Sequence, residues 1–385
     1  MQHDILESPM GFNTFEMRGL ALVLWFALAT AGCEIIAGTK DRKVSTAGAS
    51  GSDGSQSTGG AIGIDGGLGT GGIGTGGIGT GGGGTSGTAP VPPSCFGLDS
   101  RCGPSGTSGC CDSNPVPGGT YNRLSQATAP ATLSNFRLDN YEITVGRFRN
   151  FVRAYPGSKP APGAGKNPND AADQGWQADW STLLPADQAA LASALNCNAT
   201  MATWTDNAGA NEFRPINCLT WYDAYAFCIY DEGRLSTEAE WNLAAAGGSE
   251  QRVYPWSVPA SSTTADTSYA SYKIGTDCLG DGLPGCALAD ILVVGSRPKG
   301  DGRYGQADLG GNIFEMVRDF WTDTVPSPCI NCAATGTGLG RVQRGGSYSW
   351  DIGYIDTRTR RLINADERWS DVGARCARAA SAGGT

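Results

Sequence analysis

The chain has 385 residues, a formal net charge of −9, 58 glycines, 13 cysteines and one histidine. That length accommodates one or two domains of ordinary size, and the acidic balance excludes a nucleic-acid-binding surface, which needs a basic stripe. Thirteen cysteines are too many for an ordinary reduced cytosolic protein and point to an oxidising compartment.

Residues 19–32, GLALVLWFALATAG, form an apolar run directly behind Arg18. The run is too short for a comfortable membrane span and fits the hydrophobic region of an export signal. It ends in Ala31-Gly32-Cys33, which resembles the lipobox of bacterial lipoproteins, with Thr30 where leucine is usual. The resemblance implies removal of residues 1–32, lipidation of Cys33 and attachment to a membrane face without spanning it. Ordinary cleavage, with Cys33 left as a plain thiol, is the other reading. Met17 makes as natural a start as Met1. His3 leaves with the signal, and a chain without histidine cannot build a Ser-His-Asp triad, an H-E-x-x-H zinc site or a facial-triad iron site.

Residues 33–93 are rich in Gly, Ser and Thr, with repeats such as GTGGIGTGGIGTGGGG. Such a composition cannot bury a core, so the segment reads as a flexible tether with a reach of roughly 40 Å. Residues 94–115 hold Cys95, Cys102, Cys110 and Cys111. In an exported chain these predict two disulfides, Cys95–Cys110 with Cys102–Cys111 or the swapped pairing, since spacing cannot choose. Zinc is the alternative for four such cysteines.

Residues 116–379 read as one globular domain, followed by a short tail, 380–385. Helical signals are few. Thr144 precedes a stretch with Val145, Phe148, Phe151 and Val152 on one face; Pro185 opens PADQAALASAL; Thr220 precedes Trp221, Ala224, Tyr225 and Cys228 at helical spacing; and Thr237-Glu-Ala-Glu240 is a capping box. Between them lie long Gly/Pro/Trp-rich segments with little alternation, so a loop-rich α+β fold is expected rather than a regular sheet. Arg234, Glu238 and Glu240 sit among aromatics and should pair internally. Glu315 follows Gly311-Asn312 in a tight turn, where carbonyls with one carboxylate would suit Ca²⁺; a carboxylate bonding the turn's own amides is the competing reading. Cys197–Cys218 and Cys278–Cys286 are pairs suggested by proximity, and Cys329-x-x-Cys332 reads as a short-loop disulfide rather than a redox or copper pair.

Several segments, in order, resemble the sulfatase-modifying-factor family, whose founding member is the formylglycine-generating enzyme: VPGGTY (116–121), NYEITVGRFRNFV (140–152), INCLTWYDAYAFCIYDEGRLSTEAEWNLAAAGG (216–248), YPW (254–256), VGSRPKGDGRYGQADLGGNIFEMVRDFW (294–321), RVQRGGSY (341–348) and VGARCAR (372–378). RLSTEAEW looks like the family's RLPTEAEW, with Ser236 for proline. The resemblance implies a single α+β domain, loop-rich and distantly related to the C-type lectin fold. It also implies calcium held at Gly311, Ile313 and Glu315, and a Cys228–Cys376 disulfide.

Family catalysis oxidises a cysteine of a CxPxR motif with O₂ and Cu(I), which two cysteine thiolates hold because soft sulfur selects Cu(I). The matching positions here, two residues after RGGSY and five further on, are Trp350 and Ile355. Neither binds copper, so copper is not expected. Ser347 and Tyr348 fall in the groove of the resembled active site, with Trp350 as a plug or an aromatic platform. The sequence thus predicts an envelope lipoprotein that lacks the oxidase and acts as a binding or structural module, its partner an envelope protein or a glycan. A formylglycine-generating oxidase with non-standard ligands and a Ca²⁺-dependent lectin are the alternatives.

Overall fold

The computed structural model describes residues 91–380 except 99–100, 337 and 339; the export signal, Cys33 and all of the expected tether before residue 91 lie outside the described residues. Those described fall in one compact unit. Helix identity follows the threonine caps. Strands β1 (Ser113–Val116), β2 (Gly119–Asn122), β3 (Pro130–Leu133) and β4 (Phe136–Asp139) lead to helix α1 (Val145–Ala154). Thr144 caps α1 by accepting from the Arg147 amide. Helix α2 (Gln188–Ala194) starts later than the proline suggests, because Asp187, not Pro185, accepts an amide hydrogen bond, from Ala190. Thr220 with Asp223 caps α3 (Trp221–Tyr230). After the two-residue β5 (Arg234–Leu235), Thr237 with Glu240 caps α4 (Glu238–Ala245). Each capping box satisfies two amides that would otherwise be orphaned at the helix start.

The remaining strands are β6 (Lys273–Ile274), β7 (Asp277–Cys278), β8 (Phe314–Phe320), β9 (Cys329–Ile330), β10 (Arg341–Arg344), β11 (Arg361–Ile363), β12 (Val372–Gly373) and β13 (Cys376–Ala379). They form four small sheets, ordered β1-β4-β13-β5, β11-β10-β8-β12, β2-β3-β9 and β6-β7. The loop-rich α+β domain expected from the sequence is what the structure shows, and apart from the seven-residue β8 its strands are too short to reveal an alternation. One apolar core gathers α1 and α3 around Phe148, Phe151, Trp176, Trp221 and Tyr225. A second lies between α4 and the strands, around Phe136, Leu138, Trp241 and Val317.

The N-terminal cysteine segment belongs to this body. The boundary expected at 116 falls inside β1, which pairs with β4 from Ser113 onward. Ser94 donates its amide to Asp231 and accepts from the Arg147 guanidinium. Arg147 also holds Asp139 and Asp231, and Arg378 holds the same two carboxylates. Two cations against two anions make a balanced buried quartet, which satisfies charges that burial would otherwise penalise severely.

All twelve described cysteines form six disulfides. In the N-terminal segment the pairing is the swapped one, Cys95–Cys111 and Cys102–Cys110. A narrow turn pairs Cys102 with Ser108 backbone to backbone, which sets Cys102 opposite Cys110. Cys228–Cys376 joins α3 to β13 across 148 residues. This density of disulfides indicates an exported protein in an oxidising environment. No described helix is long and apolar enough to cross a membrane.

Candidate functional site

The segment after β10 turns on two glycines. Gly345 and Gly346 take φ of 92° and 74°, and a Cβ on Gly346 would stand 2.9 Å from Ile355 and 3.0 Å from the Tyr354 backbone. Only glycine lets residues 352–355 close down there. Ile355 is fully buried against Tyr254, Trp256, Ala270 and Tyr272. Trp350 is half-buried; its indole Nε1 donates to Asp371 Oδ2 at 2.8 Å. The hydroxyls of Ser347 and Ser349 each donate to the same oxygen at 3.2 Å. Tyr354 meets the Trp350 ring edge-on at 4.6 Å, and the Arg361 guanidinium lies 3.9 Å over it. Tyr348 is buried, and burial pushes its phenol up to about 12.

The family's two copper positions are therefore filled by packed side chains. Trp350 and Ile355 carry no sulfur, and every described cysteine is already in a disulfide, so the donors present do not fit Cu(I). Sequence reasoning named Ser347, Tyr348, Trp350 and Ile355 but missed Asp371, the carboxylate that binds three of their neighbourhood's donors. Nothing in SDVG around Asp371 marks it as a hub.

The second candidate site is the turn before β8. Gly311 and Asn312 both adopt positive φ, 85° and 61°; a Cβ on Gly311 would collide with the Ser271 carbonyl at 2.4 Å. Ile313 and Glu315 lie just beyond the turn, with Glu315 already in β8. Both Glu315 oxygens accept from Arg375, at 2.6 and 2.7 Å, and Oε2 also accepts from Trp241 Nε1 at 2.8 Å. Glu315 is thus paired with a cation, and it is not the open ligand that the set Gly311, Ile313, Glu315 requires. It does not cap the turn's own amides either. That role falls to Glu142, which accepts from Asn312 Nδ2 at 2.7 Å and from the Ile313 amide at 3.3 Å.

Charge compensation fails nearby instead. Burial, with Asp308 and Glu315 adding repulsion, raises the Glu142 carboxyl well above its usual range. Burial likewise lifts Asp308 to about 6. Arg375 is the cation that acts on both, and it is already committed to Glu315. The oxygens Asn140 Oδ1, Gln306 Oε1 and Asp301 Oδ1, in neighbouring segments, are buried without a partner. A surplus of buried negative charge and orphaned hard oxygens suits a divalent cation in chemistry. No three His, Cys, Asp or Glu side chains converge on one point among the described residues, so a cation here would depend on carbonyl and amide oxygens. Glu142 and Asp308 were legible only as letters of the family motifs NYEIT and ADLGGN.

Three cavities lie away from both sites. Two adjoin, about 640 and 440 Å³, and share Arg149, Arg153 and Ala208. Arg149 there is taken up by Glu212 and stacks over Trp204 at 4.5 Å. The third, about 730 Å³, is lined by Trp321, Arg358 and Arg360.

Residues 107–380 match the sulfatase-modifying factor enzyme 1-like domain. A formylglycine-generating enzyme of Bos taurus is 31% identical over 170 residues, covering 42% of this chain and 43% of that protein. Its counterpart in Mus musculus is 26% identical over 286 residues, covering 68% and 74%. The inactive Cα-formylglycine-generating enzyme 2 of Mus musculus is 28% identical over 271 residues, covering 65% and 77%. The chain thus spans less than half of the first relative and about three quarters of the other two. The solved structure of PvdO from Pseudomonas aeruginosa superposes with a TM-score of 0.48 at 19% identity, over 76% of this chain and all of that one.

Proposed function

The chain belongs to the sulfatase-modifying factor enzyme 1-like family, and we propose that it is a non-oxidase member: an exported binding module in place of a formylglycine-generating enzyme. One observation carries the reading. Where the family's chemistry needs two thiolates, this chain places Trp350, tied to Asp371, and Ile355, buried in an aromatic cluster. Likeness to an inactive relative as well as to active ones agrees with it. Cu(I) titration of the purified chain tests the proposal: no stoichiometric binding is expected, and one tightly held copper per chain would overturn it.

The lipobox resemblance at Cys33 supports an anchored lipoprotein at the cell envelope, with residues 33–93 holding the domain off the membrane. Mass spectrometry of the N-terminal peptide from the native host tests this; an unmodified Cys33 sinks the anchor. The raised carboxyls of Glu142 and Asp308, whose shared cation Arg375 is committed to Glu315, support calcium beside Gly311 and Ile313. Calcium would bring rigidity there and no redox chemistry. A chain whose melting temperature ignores both Ca²⁺ and chelator speaks against the ion. The partner is a protein or glycan of the envelope, and a glycan array with and without Ca²⁺ separates the two.

A further inference from the structure

The Cys329–Cys332 pair has surroundings that a structural crosslink does not require. It closes a loop with a sequence separation of 3, the smallest of the six disulfides. In the chain-entropy account such a loop stabilises least. Cys329 is buried at 2% exposure, while Cys332 is half-open to solvent. Ile330, between them on β9, is 73% exposed, so the loop presents itself outward at the edge of the β2-β3-β9 sheet.

Beneath it lies Arg123, 1% exposed. Its Nη1 stands 3.8 Å from Cys332 Sγ, and its Nε and Nη2 have no hydrogen-bond partner. The groups that act on this guanidinium are Tyr121, Glu238, Asp319 and Arg360. Their polar atoms are committed elsewhere: Tyr121 donates to the Ala239 carbonyl, Glu238 binds Arg360, and Asp319 takes the amides of Glu238 and Ala334. A buried cation is therefore held against one sulfur of a disulfide with little else to bind. An adjacent cation stabilises a thiolate over a thiol, and so lowers the pKa of a cysteine.

We infer that Cys329–Cys332 is an exchangeable disulfide that oxidises a dithiol in a polypeptide, with Cys332 as the sulfur attacked and Arg123 as the group that stabilises its thiolate. A substrate thiolate attacks Cys332 Sγ, the sulfur of the less buried of the two cysteines. The Cys329–Cys332 bond breaks with its electron pair on Cys329, which takes a proton. The substrate's second thiolate then attacks its own sulfur in the mixed disulfide and releases Cys332 as a thiolate beside Arg123. The substrate dithiol loses two electrons and two protons: both electrons pass to the protein pair, one proton goes to Cys329 and the other to solvent, since Cys332 leaves as a thiolate. Stabilising the reduced form in this way makes a pair a stronger oxidant. The exchange is stoichiometric, one equivalent per chain.

The test uses the full chain and a synthetic peptide dithiol. After limited exposure to the peptide, free thiols are alkylated and mapped by mass spectrometry. Cys329 and Cys332 are expected to open first while the other five disulfides stay closed, with one equivalent of peptide disulfide formed. The alkylation rate of Cys332 is expected to be half-maximal about one pH unit or more below 8.5, the ordinary thiol value. Arg123→Met is expected to move that midpoint back toward 8.5 and to slow release of the peptide disulfide about tenfold. Should Arg123→Met not fold, the wild-type pH profile decides. A pair that stays closed while others open, or a Cys332 midpoint at or above 8.5, overturns the inference.

Discussion

Two buried polar groups of this domain, Asp371 and Arg123, are built into their surroundings in opposite ways. At Asp371 one carboxylate oxygen collects an indole and two hydroxyls, and the aromatic ring above is covered by Tyr354 and Arg361. At Arg123 one guanidinium keeps two nitrogens without partners and faces a half-open disulfide. The first hub has its donors matched and its faces packed; the second leaves hydrogen-bonding capacity beside a reactive bond. The segment around Trp350 is packed and hydrogen-bonded, and the unmatched polarity lies at Arg123. A fully satisfied buried network specifies a conformation, whereas an unsatisfied buried group stays poised to bind something.

The comparison can be broken in four ways, from the largest effect to the smallest. Removing Cys228 and Cys376 together should cost about 5 kcal/mol, against about 2 kcal/mol for Cys329 with Cys332, in the chain-entropy account. Denaturant unfolding of the two double Cys→Ala variants reads the difference; equal costs would erase the distinction between clamp and exchangeable pair. Asp371→Ala strands three donors, and should cost about 3 kcal/mol by the usual penalty for unpaired buried groups; a loss below about 1 kcal/mol would show that the hub does not hold the loop.

The third way is pH. Burial raises Asp319, which acts on Arg123, and Asp308, beside Arg375, each to about 6. A carboxyl raised in the folded state is held protonated there, so its contribution is full below about 4 and is lost as pH rises through about 6. Each group should therefore make the protein about 2–3 kcal/mol more stable near pH 4 than near pH 7. If Ca²⁺ binds beside Asp308 as proposed, saturating Ca²⁺ flattens the part due to Asp308 and leaves that of Asp319. Stability that falls steadily from pH 7 to 4 would contradict this. The smallest effect is Arg123→Met, which removes an under-satisfied cation and should change stability by less than about 1 kcal/mol. A large loss would mean that Arg123 is structural after all.

What could be read in advance follows from where the information lies. Thr144, Thr220 and Thr237 announce their helices because a cap is a local code of four residues. Asp187 displaced Pro185 within that same code, since both residues favour a helix start. The sheet pairing escaped because every strand but the seven-residue β8 has only two to four residues and pairs across the chain: β13 lies against β4, with Ala377 opposite Leu138. The disulfide choice at residues 95–111 required a turn geometry that spacing does not contain. At the site, Trp350 and Ile355 were legible through the motif. Asp371, Glu142 and Arg123 were not, because each acts through partners between 21 and 209 residues away. The ion pair of Glu315 was not legible for the same reason: its cation, Arg375, comes from the C-terminal segment.

With Trp350 and Ile355 filling the positions of the copper thiolates, we propose, the oxidase chemistry ends. The direct measurement incubates the purified full chain with Cu(I), O₂ and a CxPxR peptide, and follows the peptide by mass spectrometry. The cysteine of the peptide is expected to stay unconverted, with no formylglycine formed. Conversion in proportion to protein and dependent on copper would contradict it.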